Sequence, residues 1–337
     1  MSDQKGTVLV TGANGGLGSA IVSQLASNLE PRACHGIFTV RNIESANALQ
    51  AALKSSTTLT PSFTHDKISL DLSRLDSVRE VAAAINARVE AGSIPPICAL
   101  ILNAGYEEFA QQTWTGDGLD TSFVINYLGH WLLAILLLQS LDHRHNVMNG
   151  AFKNDKYKTM ITDDLEPIAK GTWSANTDGE PAWAAAYRRY GASKLCGVVM
   201  IHELQKRLDR DPLLNNICVL AVDPAAMDTG IVRHSSWFVR VLIFRVFAGL
   251  VATLWVRLFP NGTWRTPQKS AHDVLAAALD SGPAPLTDQP KSLYLNGSEQ
   301  GEYNYEAKDP EKGKVVWKGS VRFAQLKGGD IILRDWQ

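Results

Sequence analysis

A glycine-rich turn near the N-terminus constrains the fold of this chain more than any other feature. Residues 7–22 read TVLVTGANGGLGSAIV, a short β-type run followed by the turn and an apolar helical pattern. Glycines let the backbone turn sharply and approach a pyrophosphate, while a helix N-terminus supplies N–H donors and a favourable dipole. The spacing is G-x-x-x-G-x-G, and its position between a strand and a helix predicts nucleotide binding.

The rest of the chain alternates β-type runs with helical patterns, which is typical of a parallel sheet with helices on both faces. Strands are predicted at residues 7–11, 35–40, 67–72, 97–102, 216–222 and 292–295, and helices at residues 16–28, 44–54, 75–91, 119–141, 187–208 and 267–279. We therefore predict an α/β fold with a doubly wound (Rossmann) parallel sheet. By alternation a fifth strand belongs between residues 142 and 186, where the only candidate is the short run KTMIT at residues 158–162.

The composition fits an ordinary soluble protein, with 337 residues, 45% of them hydrophobic and 20% charged. A net charge of −1 does not indicate a protein that binds nucleic acid, which would be expected to carry an excess of positive charge. The four cysteines are widely spaced, which predicts free thiols in a reducing compartment. The first apolar run is too short for a signal peptide, so we expect a cytoplasmic protein. We predict one domain over residues 1–337, with a cofactor half (1–130), a catalytic and substrate half (131–300) and a C-terminal tail (300–337).

One strongly apolar segment raises the question of a membrane. Residues 237–259 read WFVRVLIFRVFAGLVATLWVRLF and include three arginines, which leave residues 246–256 as the longest uncharged run. A spanning helix needs roughly 20 apolar residues, so we predict no transmembrane segment. We predict instead an apolar helical lid at residues 231–266 that covers a substrate pocket or rests on a membrane surface.

Three further motifs follow the glycine-rich turn in order. They are Asn103-Ala104-Gly105 after the fourth strand, Asn126-Tyr127-Leu128-Gly129-His130 in the long helix, and Tyr190-x-x-x-Lys194. Tyr190 and Lys194 are four residues apart and so share one face of a helix. In this order the motifs resemble the short-chain dehydrogenase/reductase family, over residues 7 to about 230. The tail around residues 306–317 resembles the retinol-dehydrogenase-like branch, which includes fungal biosynthetic reductases.

The resemblance implies a catalytic role for three residues. Tyr190 is the expected general acid or base, which protonates a substrate oxygen as hydride reaches carbon. A phenol has an ordinary pKa near 10, and we expect the charge of Lys194 to favour the phenolate. Lys194 is also expected to hydrogen-bond the nicotinamide ribose. Asn126 is expected to hold a water through which protons reach Lys194; the alternative is that it caps or kinks the apolar helix.

The end of the second strand bears on the choice of cofactor. A carboxylate there would bind the ribose 2′-hydroxyl of NAD, whereas an arginine suits the extra phosphate of NADP. Here the strand ends in Val40 followed by Arg41, which predicts NADP; the alternative is a solvated surface arginine. The resemblance implies that the cofactor contacts Gly12, Asn14, Gly16, Leu17, Gly18, Arg41, Asp71, Leu72, Asn103, Ala104, Gly105, Tyr190, Lys194, Met227 and Thr229. Of these, Asp71 and Leu72 would border the adenine, and Thr229 would reach the nicotinamide amide.

The sequence departs from the family pattern at two places. The fifth strand of the family ends in a serine that donates a hydrogen bond to the substrate carbonyl, and residues 150–155, where it should fall, read GAFKND. Losing one such donor costs about 10² to 10³ in rate. The nearest hydroxyls belong to Thr159, Thr162 and Ser174. In the loop at residues 224–229 an alanine stands where the family usually has glycine.

Other candidate sites are less informative. His143 and His145 form an H-x-H without nearby acids, and we predict no metal site. His202-Glu203 lacks the second histidine of H-E-x-x-H. The pair Asp163-Asp164 is typical of a helix start or a solvated loop.

These observations predict an NADP-dependent carbonyl reductase or alcohol dehydrogenase that acts on a hydrophobic substrate, as in secondary metabolism. The first alternative is an isomerase or cyclase that keeps the fold without the redox step. The second is an inactive nucleotide-binding homologue that lacks the serine. The family resemblance allows a homo-oligomer, and the expected partner is a hydrophobic small molecule.

Overall fold

The main sheet has four parallel strands. The computed structural model describes residues 6–27, 34–56, 63–108, 111–142, 160–175, 180–227, 256–280 and 282–337. The strands are β1 (Gly6–Val10), β2 (Cys34–Val40), β3 (His65–Ser69) and β4 (Ile97–Ile101), in the order β3-β2-β1-β4. Every pair is parallel, which confirms the predicted sheet.

Helices cover both faces of this sheet. They are α1 (Gly16–Ser27), α2 (Asn47–Ser56), α3 (Leu75–Glu90), α4 (Thr121–Ser140), α5 (Glu166–Ala169), α6 (Ala182–Arg210), α7 (Pro267–Leu279) and α8 (Pro310–Phe323). Alternate residues of a strand point to opposite faces, so Leu9 packs with α3, α4 and α6 while Val8 and Val10 pack with α1, α2 and α7. This two-sided core is the predicted doubly wound arrangement.

A second, smaller sheet contains the later strands. It is formed by β5 (Ala221–Asp223), β6 (Tyr294–Asn296) and β7 (Glu299–Gln300). β5 and β6 are parallel, whereas β6 and β7 form an antiparallel pair. The strand predicted at residues 216–222 is therefore shorter than expected, because residues 217–220 are buried but pair with no described strand.

The predicted fifth strand would fall in the part of the sequence between β4 and β5. Leu141 forms one parallel bridge with Ile97, and the Asp142 N–H donates to the Ile97 carbonyl, so the chain runs beside the start of β4 as it leaves α4. Residues 143–159 lie outside the described part. The prediction of a strand at residues 158–162 is wrong for residues 160–162, which form none. Their backbone N–H groups at Met160 and Ile161 donate instead to the buried Glu306 carboxylate.

The long apolar helix α4 lies in the core. It contains a π-helical turn at Val124–Leu128 and ends in a 3-10 turn at Leu138–Ser140. In the described residues it is the one helix long and apolar enough to cross a membrane, and 89% of its most apolar window is buried within the protein. That burial is expected of a core helix. Of the predicted lid, residues 231–255 lie outside the described part.

Candidate active site

The glycine-rich turn is packed backbone to backbone against the segment that follows β4. Gly12 has φ +65°, and a Cβ there would lie 2.8 Å from Ala104 Cα. A Cβ on Gly18 would lie 2.3 Å from the Gly12 carbonyl oxygen. Only glycine fits such close contacts and a left-handed φ. The turn leads directly into the N-terminus of α1 at Gly16, as the sequence predicted.

Two asparagines of the predicted cofactor site form hydrogen bonds with backbone groups of the protein. Asn103 Nδ2 donates to the carbonyls of Thr11 at 2.8 Å and Gly12 at 3.3 Å, which fixes the turn against β4. Asn14 Oδ1 accepts from the N–H groups of Ala48 and Leu49, so it caps α2. Sequence reasoning did not predict these roles, since each depends on contacts with a distant segment. The cofactor contacts of Asn14 and Asn103 stay predictions.

The residues predicted around the adenosine lie at the ends of β2 and β3. Arg41 is exposed directly after β2, and Leu72 is buried. Asp71 Oδ1 accepts from the N–H of Ser73 at 3.0 Å and from its hydroxyl at 2.6 Å, which forms a local turn. The predicted contacts of Arg41, Asp71, Leu72, Ala104 and Gly105 with a cofactor are not tested by this geometry.

Tyr190 and Lys194 lie on one face of α6, both half-buried. The Lys194 Nζ is 5.7 Å from the centroid of the Tyr190 ring. Burial lowers the pKa of Lys194 to about 8, against the opposing charge of Glu107. Burial, followed by the charges of Glu107, Tyr187 and Asp223, raises the pKa of Tyr190.

The expectation that the charge of Lys194 favours the Tyr190 phenolate stays a prediction. Burial and the neighbouring acidic groups act in the opposite direction, so Tyr190 holds its proton at neutral pH. A protonated phenol is the form that donates a proton to a substrate oxygen. In this form Tyr190 can donate a proton.

Asn126 connects the loop after β4 to the helix that carries Tyr190. Its Oδ1 accepts from the Tyr106 N–H at 2.7 Å, and its Nδ2 donates to the Tyr106 carbonyl at 2.8 Å and to Ser193 Oγ at 3.1 Å. The Ser193 hydroxyl in turn donates to the Tyr190 carbonyl at 2.7 Å. Asn126 lies within the π-helical turn of α4, a distortion common at functional sites. Its side chain positions the site, and the predicted water stays a prediction.

His130 joins the two halves of the site, a role that the sequence analysis missed. Its Nε2 lies 2.9 Å from the Thr11 hydroxyl, and its ring also hydrogen-bonds the Asn126 carbonyl. Burial and the charge of Lys194 lower the pKa of His130 to about 3, so the ring is neutral. The motif around residue 126 included this histidine but gave no sign of its partner 119 residues away.

Glu107 is the second residue that sequence reasoning missed. It is half-buried on the loop after β4, and burial raises its pKa to about 7 against the opposing charge of Lys194. The carboxylate is close enough for its charge to raise the pKa of both Tyr190 and Tyr187. The acidic pair Glu107-Glu108, one residue beyond Asn103-Ala104-Gly105, was the available signal.

The remaining predicted residues lie around this centre or outside the described part. Met227 is buried after β5, and Thr229 lies outside the described residues. Ala225, one of the two alanines in the loop at residues 224–229, has φ +58°, a left-handed conformation that favours glycine. Residues 150–155, Thr159, His143 and His145 are also outside the described residues.

The other hydroxyls considered as replacements for the serine are engaged elsewhere. Thr162 Oγ donates to the Asp164 carbonyl on an exposed turn, and Ser174 Oγ accepts from Arg188 Nε. Among the described residues no cluster of His, Cys, Asp or Glu could hold a metal ion. Asp164 accepts from the Glu166 N–H at the start of α5, as predicted for a helix start.

Comparison with known proteins decides the family. A family model described as short chain dehydrogenase matches residues 6–148. The short-chain dehydrogenase iccH of Talaromyces variabilis is 41% identical over 99% of this chain and 100% of its own length. The chain belongs to the short-chain dehydrogenase/reductase family. As a short-chain dehydrogenase/reductase it is an oxidoreductase homologue with a Rossmann-type fold.

More distant short-chain dehydrogenase/reductase relatives agree with this assignment. Chloroplastic protochlorophyllide reductase A of Hordeum vulgare is 29% identical over 96% of this chain and 81% of its own. The fold is shared with the NADP active-site complex of RhlG from Pseudomonas aeruginosa, at a TM-score of 0.53 and 19% identity. That likeness covers 87% of this chain and 94% of the other. The Talaromyces alignment runs over 369 positions, so this 337-residue chain lacks counterparts for part of that relative.

Proposed function

We propose that this protein is an NADP-dependent oxidoreductase that interconverts a hydrophobic ketone and the corresponding alcohol, with Tyr190 as the proton donor. The observation that carries the proposal is the placement of the Tyr190–Lys194 pair. His130 contacts Thr11 and lies near Lys194, so the pair adjoins the glycine-rich turn. Asp223 at the end of β5 acts on Tyr190 as well. Ligands of such sheets bind at the carboxyl ends of the strands, where these residues meet.

The residues present fit a dinucleotide. The glycine-rich turn has no room for side chains on Gly12 and Gly18, which keeps the backbone at the α1 N-terminus open to a pyrophosphate. Arg41 is exposed at the end of β2, where an arginine suits the 2′-phosphate of NADP. When bound, NADPH supplies a hydride. Two solved structures of this fold, the RhlG complex with NADP and BdcA in complex with NADPH, support the choice.

The chain's own residues handle the proton. In the reducing direction the Tyr190 phenol transfers its proton to the substrate oxygen. Lys194, whose pKa is lowered to about 8, is charged at neutral pH and stabilises the phenolate that remains. Asn126 and Ser193 fix the backbone around Tyr190, so the phenol is held in one position. The apolar composition of residues 231–266 supports a hydrophobic substrate.

The test is to incubate the full-length protein with NADPH or NADH and a panel of polyketide-like, terpenoid, steroid and retinoid ketones. Cofactor oxidation is followed by absorbance, and products are identified by mass spectrometry. The proposal predicts alcohols two hydrogens heavier than the ketones, formed at the expense of NADPH. A product of unchanged mass, formed equally without cofactor, would show an isomerase or cyclase instead.

A further inference from the structure

Glu107 is an acidic residue whose charge acts on both Tyr190 and Lys194. The loop that carries it leaves β4 and is joined to α6 through Asn126, which hydrogen-bonds both Tyr106 on the loop and Ser193 on α6. The charge of Glu107 acts on three groups of α6, Tyr187, Tyr190 and Lys194. None of the described residues donates a hydrogen bond to its carboxyl group. Glu107 is therefore a half-buried acid that faces the site without a structural partner in the described part of the chain.

The conformation of this loop is fixed from both sides of Glu107. On one side, Asn126 binds the N–H and the carbonyl of Tyr106 at 2.7 and 2.8 Å. On the other side, Glu108 is buried and accepts from the Thr113 N–H at 3.1 Å. Glu108 is thus committed to its own loop. Because the residues on both sides are held by hydrogen bonds, the backbone at Glu107 is fixed close to α6.

The site needs a hydrogen-bond donor that the described residues do not otherwise provide. The Ser193 hydroxyl donates to the Tyr190 carbonyl, and Thr162 is engaged on an exposed turn. Such a donor stabilises the charge that develops on the carbonyl oxygen during reduction. A carboxylic acid can take this role when it keeps its proton in an apolar site.

We propose that the carboxyl group of Glu107 donates a hydrogen bond to the substrate carbonyl oxygen, in place of the serine hydroxyl of the family. The inference rests on the proposed reductase function. In the step, hydride adds to the carbonyl carbon, the C–O π electrons move to oxygen, and that oxygen takes the proton of Tyr190. Glu107 keeps its own proton throughout, and the electrons balance with the oxidation of NADPH to NADP⁺.

The charges around Glu107 determine its behaviour with pH. Lys194, Tyr190 and Tyr187, all on α6, are the titratable groups that face it in the described structure. Burial raises its pKa to about 7, and Lys194 opposes that shift. The donor form is therefore lost as the pH rises through about 7. The reduction rate should fall over the same range, since the ionised carboxylate accepts but cannot donate.

The experiment compares wild type, Glu107→Gln and Glu107→Ala for kcat and kcat/KM of ketone reduction between about pH 5.5 and about pH 7.5. The upper end stays below the pKa of about 8 of Lys194, so that its loss of charge does not add to the decline. Wild type should lose rate above about pH 7. The glutamine variant keeps a donor and should stay within about threefold of the wild-type maximum without that decline. The alanine variant should lose about 10² to 10³ in kcat. Asp117→Asn, an exposed acid outside the site, is the control and should behave as wild type.

Two results would overturn the proposal. One is a glutamine variant as slow as the alanine variant, which would make Glu107 an ionised partner of Lys194. The other is an alanine variant with the wild-type rate. Infrared difference spectra across neutral pH provide a readout without turnover: a carboxyl C=O band should titrate near pH 7 in wild type and vanish in Glu107→Gln. The two proposals fail in different ways. A wild-type protein that binds NADPH but reduces no ketone would refute the proposed reductase function. A wild-type spectrum without the carboxyl band would refute the role of Glu107, whatever the activity.

Discussion

The hydroxyl of Thr11 lies 2.9 Å from Nε2 of His130, and this contact joins the glycine-rich turn to the helix that carries Asn126. Thr11 Oγ also accepts from the Ala104 N–H at 3.0 Å. Since the His130 ring donates to the Asn126 carbonyl, the neutral ring accepts the Thr11 proton at Nε2. One threonine thereby connects the glycine-rich turn, the segment after β4 and the helix that carries Asn126 and His130.

Thr11→Val should remove both hydrogen bonds while keeping the shape of the side chain. The half-buried Ala104 N–H and the buried His130 Nε2 would lose their partners, at a cost of about 2–4 kcal/mol in the free energy of unfolding. Urea unfolding measures this. Thr115→Val is the matched control, because the buried Thr115 hydroxyl has no hydrogen-bond partner among the described residues and its removal should change stability by less than about 1 kcal/mol. Equal effects of the two changes would contradict the role of Thr11.

Glu306 should be essential for holding the segment at residues 160–161 in place. Its fully buried carboxylate accepts from the Met160 and Ile161 N–H groups and pairs with Lys312. Glu306→Ala leaves these donors unpaired, and we expect a loss of about 3–5 kcal/mol in denaturant unfolding. The control is Glu311→Ala, since the exposed pair of Glu311 with Lys314 should contribute less than about 1 kcal/mol. A small effect at Glu306 would mean that residues 160–161 are held by other contacts.

Ala225→Gly should stabilise the protein. Ala225 has φ +58°, a conformation that costs a residue with a Cβ about 1–2 kcal/mol and glycine much less. After the greater chain entropy of glycine is counted, the expected gain is about 0.5–1 kcal/mol, seen as a higher melting temperature. Ala91→Gly, at φ −72° after α3, should do the reverse. A lower melting temperature for Ala225→Gly would show that the left-handed conformation is not the strained one.

Arg41 should determine cofactor choice. If its guanidinium binds the 2′-phosphate, Arg41→Ala should weaken NADPH binding about tenfold to a hundredfold and leave NADH binding nearly unchanged. Isothermal titration with each cofactor measures both effects. Arg322→Ala, which removes an exposed arginine on α8, should change neither. Equal weakening of NADPH and NADH by Arg41→Ala would contradict recognition of the phosphate.

The sequence predicted what depends on local pattern. Strand and helix alternation predicted the parallel sheet, because a strand such as β4 is buried on both faces and reads as a continuous apolar run. Tyr190 and Lys194 were paired because residues four positions apart on a helix lie on the same face. The partner of His130 was not predictable, since it lies 119 residues away.

Long-range packing also explains two features that the sequence did not predict. The pKa of Tyr190 depends on burial and on Glu107 and Asp223, which come from other elements. The segment at residues 160–162 has the composition of a strand but bonds to the Glu306 side chain, a contact that no local pattern encodes.

The most direct test of the account is the rate of NADPH-dependent ketone reduction by Tyr190→Phe. Removing one hydroxyl leaves the ring packed on α6, so NADPH affinity by fluorescence titration should match wild type within about threefold. The account predicts that kcat falls by about 10² or more, since the proton donor is gone. A Tyr190→Phe protein that binds NADPH and reduces ketones at the wild-type rate would contradict it.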